Sequence, residues 1–399
     1  MRNSPLAVLF AAVLVDMLGF GLVLPLLPFY AESMGATPLQ ITILVASFSA
    51  MQLAAAPFWG RVSDRIGRRP LLIGSLFASA FSYLVFGLAD SFWWLLLSRA
   101  AAGAAGGTIT IAQAYVADTT AHDERARGMG HLGAASGLGV MLGPAVGGFA
   151  SDWWGLGAPG FVAAGFCALN GIAAIFLVPE SHAQEHRTRA GQAASLRSWV
   201  RSLTTYPLSV LLSVYFLTIS SFAAMTSVLA LYLERSFGVD EQDMGLLFTL
   251  SGATTVVVRG LLLGTLVRRL GESVTARVGV VSLLTAMVSL PFLPSERWAM
   301  GVAVLYAFGA GTLFPALATL VSRATDRASQ GSILGGSQVV GGLGRVIGPL
   351  WAGIFFQSVG IATPFVVGAV LVLLALVVSL RIPGSGVRPA NTPETVAAD

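Results

Sequence analysis

Gly60-Arg61-Val62-Ser63-Asp64-Arg65-Ile66-Gly67-Arg68-Arg69-Pro70 holds four arginines and one aspartate in eleven residues, with apolar sequence resuming on both sides. It is the densest arginine cluster in the chain. Read as a loop between two membrane helices, it marks the cytoplasmic side, because Lys and Arg accumulate in the loops that stay inside.

The 399 residues are 55% hydrophobic and only 11% charged, against about 25% charged in soluble domains. A globular surface cannot be covered from such a composition, so lipid is the solvent this chain is built for. The 46 glycines agree, since small residues let membrane helices approach closely. All 23 basic residues are arginine, which reads as genome composition bias. The net charge of +4 is spread in a way that argues against nucleic acid. Cys167 is the single cysteine, which excludes an intrachain disulfide. Met1-Arg2 and the apolar run after them superficially resemble a signal peptide. The run is too long, contains Asp16, and passes into Pro25 and Pro28 without a small-residue cleavage site, so it reads as the first membrane helix.

A spanning helix needs about 20 mostly apolar residues. Windows of this kind occur at 6–30, 39–59, 70–89, 92–116, 128–151, 159–179, 207–233, 242–266, 274–293, 299–322, 331–356 and 362–381. The expected fold is an all-α membrane protein with twelve transmembrane helices in two pseudo-symmetric six-helix halves. With both termini inside, eighteen of the 23 arginines fall on the cytoplasmic side, and only Arg235 and Arg297 fall outside. Residues 1–180 and 207–382 would form the halves, 181–206 the loop between them, and 383–399 a disordered Pro/Gly/Ser-rich tail.

The two halves echo each other. Gly60-x3-Asp64-Arg65-x-Gly67 returns as Gly264-x3-Arg268-Arg269-x-Gly271, and Gly143-Pro144-x3-Gly148 as Gly348-Pro349-x3-Gly353. Tyr30-x-Glu32 returns as Tyr232-x-Glu234. Two similar halves with a site between them is a transporter architecture. Leu196, Trp199, Val200 and Leu203 in the central loop recur at helical spacing, with Arg197 and Arg201 on another face. This pattern suits either a basic amphipathic helix on the inner leaflet or an ordinary polar linker.

Asp16 is the one carboxylate deep in a span. Intramembrane ionisable groups are costly and mark proton or substrate paths, so Asp16 is a candidate proton-coupling site; the alternative is a structural carboxylate hydrogen-bonded to neighbouring helices. Arg99 in the fourth span can pair with a carboxylate or hold a water network. Arg259 and Arg345 have no membrane acid in their own half and are candidate cavity charges, although Arg259 can also snorkel. In the fifth span, Gly139, Gly143, Pro144, Gly147 and Gly148 suit a hinge, a close contact with a mirror-related helix, or simple packing.

Gly60 to Pro70 resembles the loop signature of the major facilitator superfamily, and Arg99-x3-Gly103 its fourth-helix arginine motif. Gly139-x3-Gly143-Pro144-x2-Gly147-Gly148 resembles the fifth-helix motif of its drug/proton antiporters. Asp16-x2-Gly19-x-Gly21-Leu22-x2-Pro25-x2-Pro28 resembles their first-helix motif. Tyr115-Val116-Ala117-Asp118-Thr119-Thr120, Asp123-Glu124-Arg125-Ala126-Arg127 and Pro179-Glu180-Ser181-His182 are similar to the tetracycline efflux pumps. The resemblance is dense over residues 10–185 and weaker in the second half. It implies alternating access, with outward drug export driven by inward proton flow. Asp16 matches the first-helix carboxylate and Arg99 the coupling arginine. Gly60, Asp64, Arg65, Gly67, Arg68, Arg69 and Asp118 match a cytoplasmic gate whose charges latch the halves together. Asp64 could cap the eleventh helix, where a helix N-terminus favours an anion.

The third span has Ser82 where these pumps carry an acid, and the ninth reads Val278-Gly279-Val280-Val281-Ser282. A metal–tetracycline complex would lack ligands here, and a neutral or weakly charged lipophilic molecule fits better. His182-Ala183-Gln184-Glu185-His186 matches a zinc-protease spacing without a third ligand. The Gly-rich runs lie inside apolar helices, and no Walker lysine exists. The implied partners are a small lipophilic substrate, protons and the bilayer. No nucleic acid, metal, cofactor or enzymatic activity is implied, and the chain reads as a monomer of the bacterial inner membrane. An exporter of sugars or other metabolites on the same fold is the alternative, and a non-transporting membrane sensor or intramembrane enzyme has little sequence support.

Overall fold

A computed structural model of the chain describes residues 4–120, 125–180, 204–325 and 330–382. The central-loop helix expected near 196–203, the His182–His186 pattern and the 383–399 tail lie outside the described residues. Among the described residues the structure is α-helical. The first group comprises α1 (Ser4–Val23), α2 (Leu27–Ser33), α3 (Pro38–Ile66), α4 (Arg68–Gly87), α5 (Phe92–Ala105), α6 (Thr108–Thr119), α7 (Arg125–Trp154) and α8 (Ala158–Leu177). The second comprises α9 (Leu208–Phe237), α10 (Glu241–Val257), a π-helical turn at Val258–Leu262, α11 (Leu263–Leu270), α12 (Glu272–Ser289), α13 (Glu296–Arg323), α14 (Gln330–Ser358) and α15 (Thr363–Ser379).

Among the described residues, ten helical segments are long and apolar enough to cross a membrane, and the bent pair α1–α2 makes an eleventh. The last expected span, 362–381, is present as the shorter apolar helix α15 of 17 residues. The first span is broken between Val23 and Leu27 with a bend of 46°. Pro25 and Pro28 explain the break, because proline removes the backbone donor a continuous helix needs. The fourth span parts at Gly106-Gly107 into α5 and α6.

The segment Gly60–Pro70 corrects the loop expected there. Helix α3 continues to Ile66, α4 begins at Arg68, and Gly67 alone is non-helical, at φ 109°. Gly271 makes the equivalent turn between α11 and α12, at φ 78°. Both values lie in the region that favours glycine, which explains why the last residue of each repeat copy is Gly. Arg65, and Arg268 with Arg269, fall in the last turns of α3 and α11, where cations complement the helix dipole.

Helix α1 packs along α7 and α8, α4 on α8 and α5, and α3 on α5. In the second group α9 packs along α14 and α15, and α12 on α13. The two groups meet where α7 lies on α10 and α14 lies on α3. Glycines set these contacts. A Cβ placed on Gly143 would lie 2.7 Å from the backbone of Gly21 in α1, and one on Gly148 would lie 3.4 Å from that of Glu241 in α10. The repeat copies behave in the same way, with Gly348 against the Ser220 backbone of α9 and Gly353 against Thr42 of α3. The fifth-span motif is therefore a contact surface on two sides. Its Gly139, Gly143 and Gly147 face α1, and Gly148 faces α10.

A Gly143→Val substitution should overpack the α1–α7 contact, costing about 1–3 kcal/mol. It would show as a lower unfolding temperature of the purified protein. Gly133→Ala on the same helix, where added atoms meet nothing within 4 Å, should leave that temperature unchanged.

Candidate functional site

Asp16 sits a little beyond the middle of α1 and is 8% exposed. The neighbouring polar side chains are Ser79 of α4 and Thr108 of α6. One turn after Asp16, Gly19 leaves room for the Tyr83 ring, which a Cβ at that position would approach to 2.9 Å. Tyr83 lies within electrostatic reach of both Asp16 and Arg99. Arg99 is 3% exposed and held in an aromatic cage, its guanidinium carbon 5.6 Å from the Phe48 ring, 5.7 Å from Tyr83 and 5.5 Å from Phe86. Such cation–π contacts are strongest where water is excluded. Nε and Nη2 of Arg99 are buried without hydrogen-bond partners. The two residues expected to couple protons are thus brought into one cluster, linked through Tyr83 rather than by a direct ion pair. Tyr83 was missed in the sequence because one tyrosine in an aromatic-rich span gives no signal.

Of the residues expected at a cytoplasmic gate, Arg68 and Asp118 meet at the arginine-rich end. Arg68 Nε lies 3.0 Å from Asp118 Oδ2 of α6, and Arg68 Nη1 donates to Ser63 Oγ at 2.6 Å. Glu180, just after α8, accepts from the backbone N–H of Arg68 at 2.9 Å and of Arg69 at 3.3 Å. It caps α4, where free N–H groups and the helix dipole favour an anion. Arg69 Nη2 donates to the Ile175 carbonyl at 2.6 Å. These contacts stay among α3, α4, α6 and α8. Gly60 is open, with nothing within 4 Å of a Cβ built there, and Arg65 is exposed. The side chain of Asp64 lies outside the described residues, so the cap on the eleventh span is not placed.

The opposite end is closed between the two groups. Arg235 Nη2 of α9 donates to Glu32 Oε1 of α2 at 2.6 Å, and the Arg235 guanidinium carbon lies 5.3 Å from the Phe356 ring. Glu234 lies against Glu32, and its Oε2 is buried without a partner. The backbone N–H of Leu39 in α3 donates to Gln357 Oε1 of α14 at 3.2 Å. Glu32 and Glu234 are repeat equivalents, and their neighbouring tyrosines bond alike. Tyr30 donates to the Ala89 carbonyl at 2.6 Å, and Tyr232 to the Leu290 carbonyl at 2.9 Å. The Tyr-x-Glu echo was the sequence signal for this closure. Among the described residues no cluster of three or more His, Cys, Asp or Glu side chains suits a metal.

The chain is similar to known proteins over nearly their whole lengths. The tetracycline resistance protein, class D, of Salmonella ordonez is 32% identical over 392 residues, covering 96% of this chain and 98% of the relative. Multidrug resistance protein 2 of Bacillus subtilis (strain 168) is 29% identical over 377 residues, 92% of each chain. The crystal structure of the human organic anion transporter MFSD10 (TETRAN) superposes with a TM-score of 0.71 at 26% identity, covering 94% of this chain and 99% of that one. The sequence profile described as Major Facilitator Superfamily matches residues 9–349 and, overlapping them, 211–397. With the helical packing described above, these matches show a multi-pass membrane transporter of small molecules, not an enzyme, and the chain belongs to the Major Facilitator Superfamily.

Proposed function

We propose that this transporter is a proton-coupled exporter of small lipophilic molecules, working by alternating access. The observation that carries the reading is the enclosure of Asp16, the one mid-span carboxylate, beside Tyr83 and the caged Arg99. A carboxyl group among hydroxyls and a cation it does not directly pair with can take up and release a proton as the helices around it shift. The likeness to tetracycline and multidrug resistance proteins supports export of drug-like compounds.

In this reading residues 1–180 and 207–382 are two six-helix halves joined by 181–206, and both termini face the cytoplasm of a bacterial inner membrane. The arginine distribution supports that orientation. The closed end at Glu32–Arg235 is then the outer gate, and the end bearing Arg61 to Arg69 opens to the cytoplasm. The protein acts as a monomer, because each half supplies the other's partner surface through the α7–α10 and α14–α3 contacts.

In everted vesicles energised by respiration, wild-type protein should release protons when drug is added, and Asp16→Asn should abolish that release while the protein remains folded. Retained release would remove Asp16 from the coupling role. Cysteines placed at Leu39 and Gln357, joined by a short reversible thiol cross-linker, should stop transport until reductant is added. Undiminished transport with the cross-link complete would rule out alternating access at this end.

A further inference from the structure

Helical phase sets the two membrane arginines of the second group on the faces away from the most exposed apolar side chains of their helices. On α14, Gly341, Gly344 and Gly348 meet α9, whereas Gly342 and Gly353 meet α3. Arg345 follows Gly341 by four residues and Gly342 by three, so it projects between those two contact stripes. It points away from Leu343, Ile347 and Ile354, which are 43%, 42% and 51% exposed on the lipid side. Arg259 is placed similarly. It follows Gly252, which packs on Met141 of α7, by two helical turns. It adjoins Val258, which packs on Gly311 of α13. The lipid side of this segment carries Leu250, Val257 and Leu262, which with Val304 and Phe308 line an apolar groove of 510 Å³.

Neither arginine makes an ion pair or hydrogen bond among the described residues. Arg345 is half-buried and Arg259 is accessible. A cation inside the membrane without a partner is expensive unless it faces water or a ligand. Between them lies an aromatic wall. Phe222 stacks on Tyr306 at 4.8 Å, Phe314 meets Phe222 at 5.5 Å, and Tyr215 meets Phe314 at 5.9 Å. Tyr215 also touches Gly341, one turn from Arg345. Phe314 is one turn beyond Gly311, which meets the segment bearing Arg259. Tyr215, Phe222 and Phe314 remain partly exposed, so their rings border open space.

We propose that this inner wall takes an aromatic organic anion. Arg345 at one end of the wall or Arg259 at the other holds its carboxylate or sulfonate, and Tyr215, Phe222 and Phe314 stack on its rings. Guanidinium groups bind such oxyanions in a planar, two-pronged geometry, and offset ring contacts add to it. The proposal deepens the exporter reading by naming its substrate class, and it replaces the neutral molecule expected from the missing acids of the third and ninth spans.

The test compares two fluorescent probes that share a ring system, an anilinonaphthalene sulfonate and the phenylnaphthylamine lacking the sulfonate. Binding is measured on the full chain in nanodiscs of neutral lipid, with empty nanodiscs subtracted. The wild-type protein should favour the sulfonate by about tenfold or more, the worth of a charged hydrogen bond. Arg345→Gln or Arg259→Gln should cut that preference toward unity, and Arg345→Lys should keep at least part of it. Equal or tighter binding of the amine by wild-type protein overturns the proposal without relying on any variant. So does an unchanged preference in both glutamine variants. If the preference holds but neither probe is moved by a pH gradient in everted vesicles, the exporter reading fails and the anion site stands.

Discussion

Close backbone contact between helices is the constraint on which the rest of this structure depends. Lipid is as apolar as leucine, so burying side chains gives membrane helices little reason to associate, and they rely on packing and interhelical polar contacts. Here Gly143 and Gly348 bring α7 onto α1 and α14 onto α9. Gly148 and Gly353 then bring α7 onto α10 and α14 onto α3. The same two helices, in repeat-related positions, therefore tie each group together and join the groups to one another.

Charge is distributed around that frame by function and by solvent. Asp16 and Arg99 sit deep in the first group, where Tyr83 and the rings of Phe48 and Phe86 replace water around them. Arg68 and Glu180 consolidate the arginine-rich end by capping and pairing. Glu32, Glu234 and Arg235 close the opposite end, with two carboxylates crowded around one arginine.

Much of this was legible in the chain. The spans follow from apolar length, whereas the breaks near Pro25 and at Gly106-Gly107 interrupt spans expected to be continuous. The repeat pairs Gly143 with Gly348 and Tyr30 with Tyr232 by spacing alone, and the structure gives both members of each pair the same contacts. The Gly60–Pro70 segment was misread as a loop because its charges suggested solvent. A helix can emerge from the bilayer and keep its hydrogen bonds in water, so the charges do not end it, and Gly67 does. The capping role of Glu180 was hidden because it lies more than 100 residues from the helix it caps.

The sequence by itself determined the solvent, the helical class, the internal repeat and the types of residue available for chemistry. These properties depend on composition and local spacing, and short-range physics reads them. Only the tertiary structure decided which charges meet: that Tyr83 lies by both Asp16 and Arg99, that Glu32 faces its own repeat copy, and that Arg259 and Arg345 make no ion pair among the described residues. Those outcomes depend on which face each helix presents to its neighbours. Helix rotation is set by contacts between residues far apart in the chain, and no local pattern encodes them.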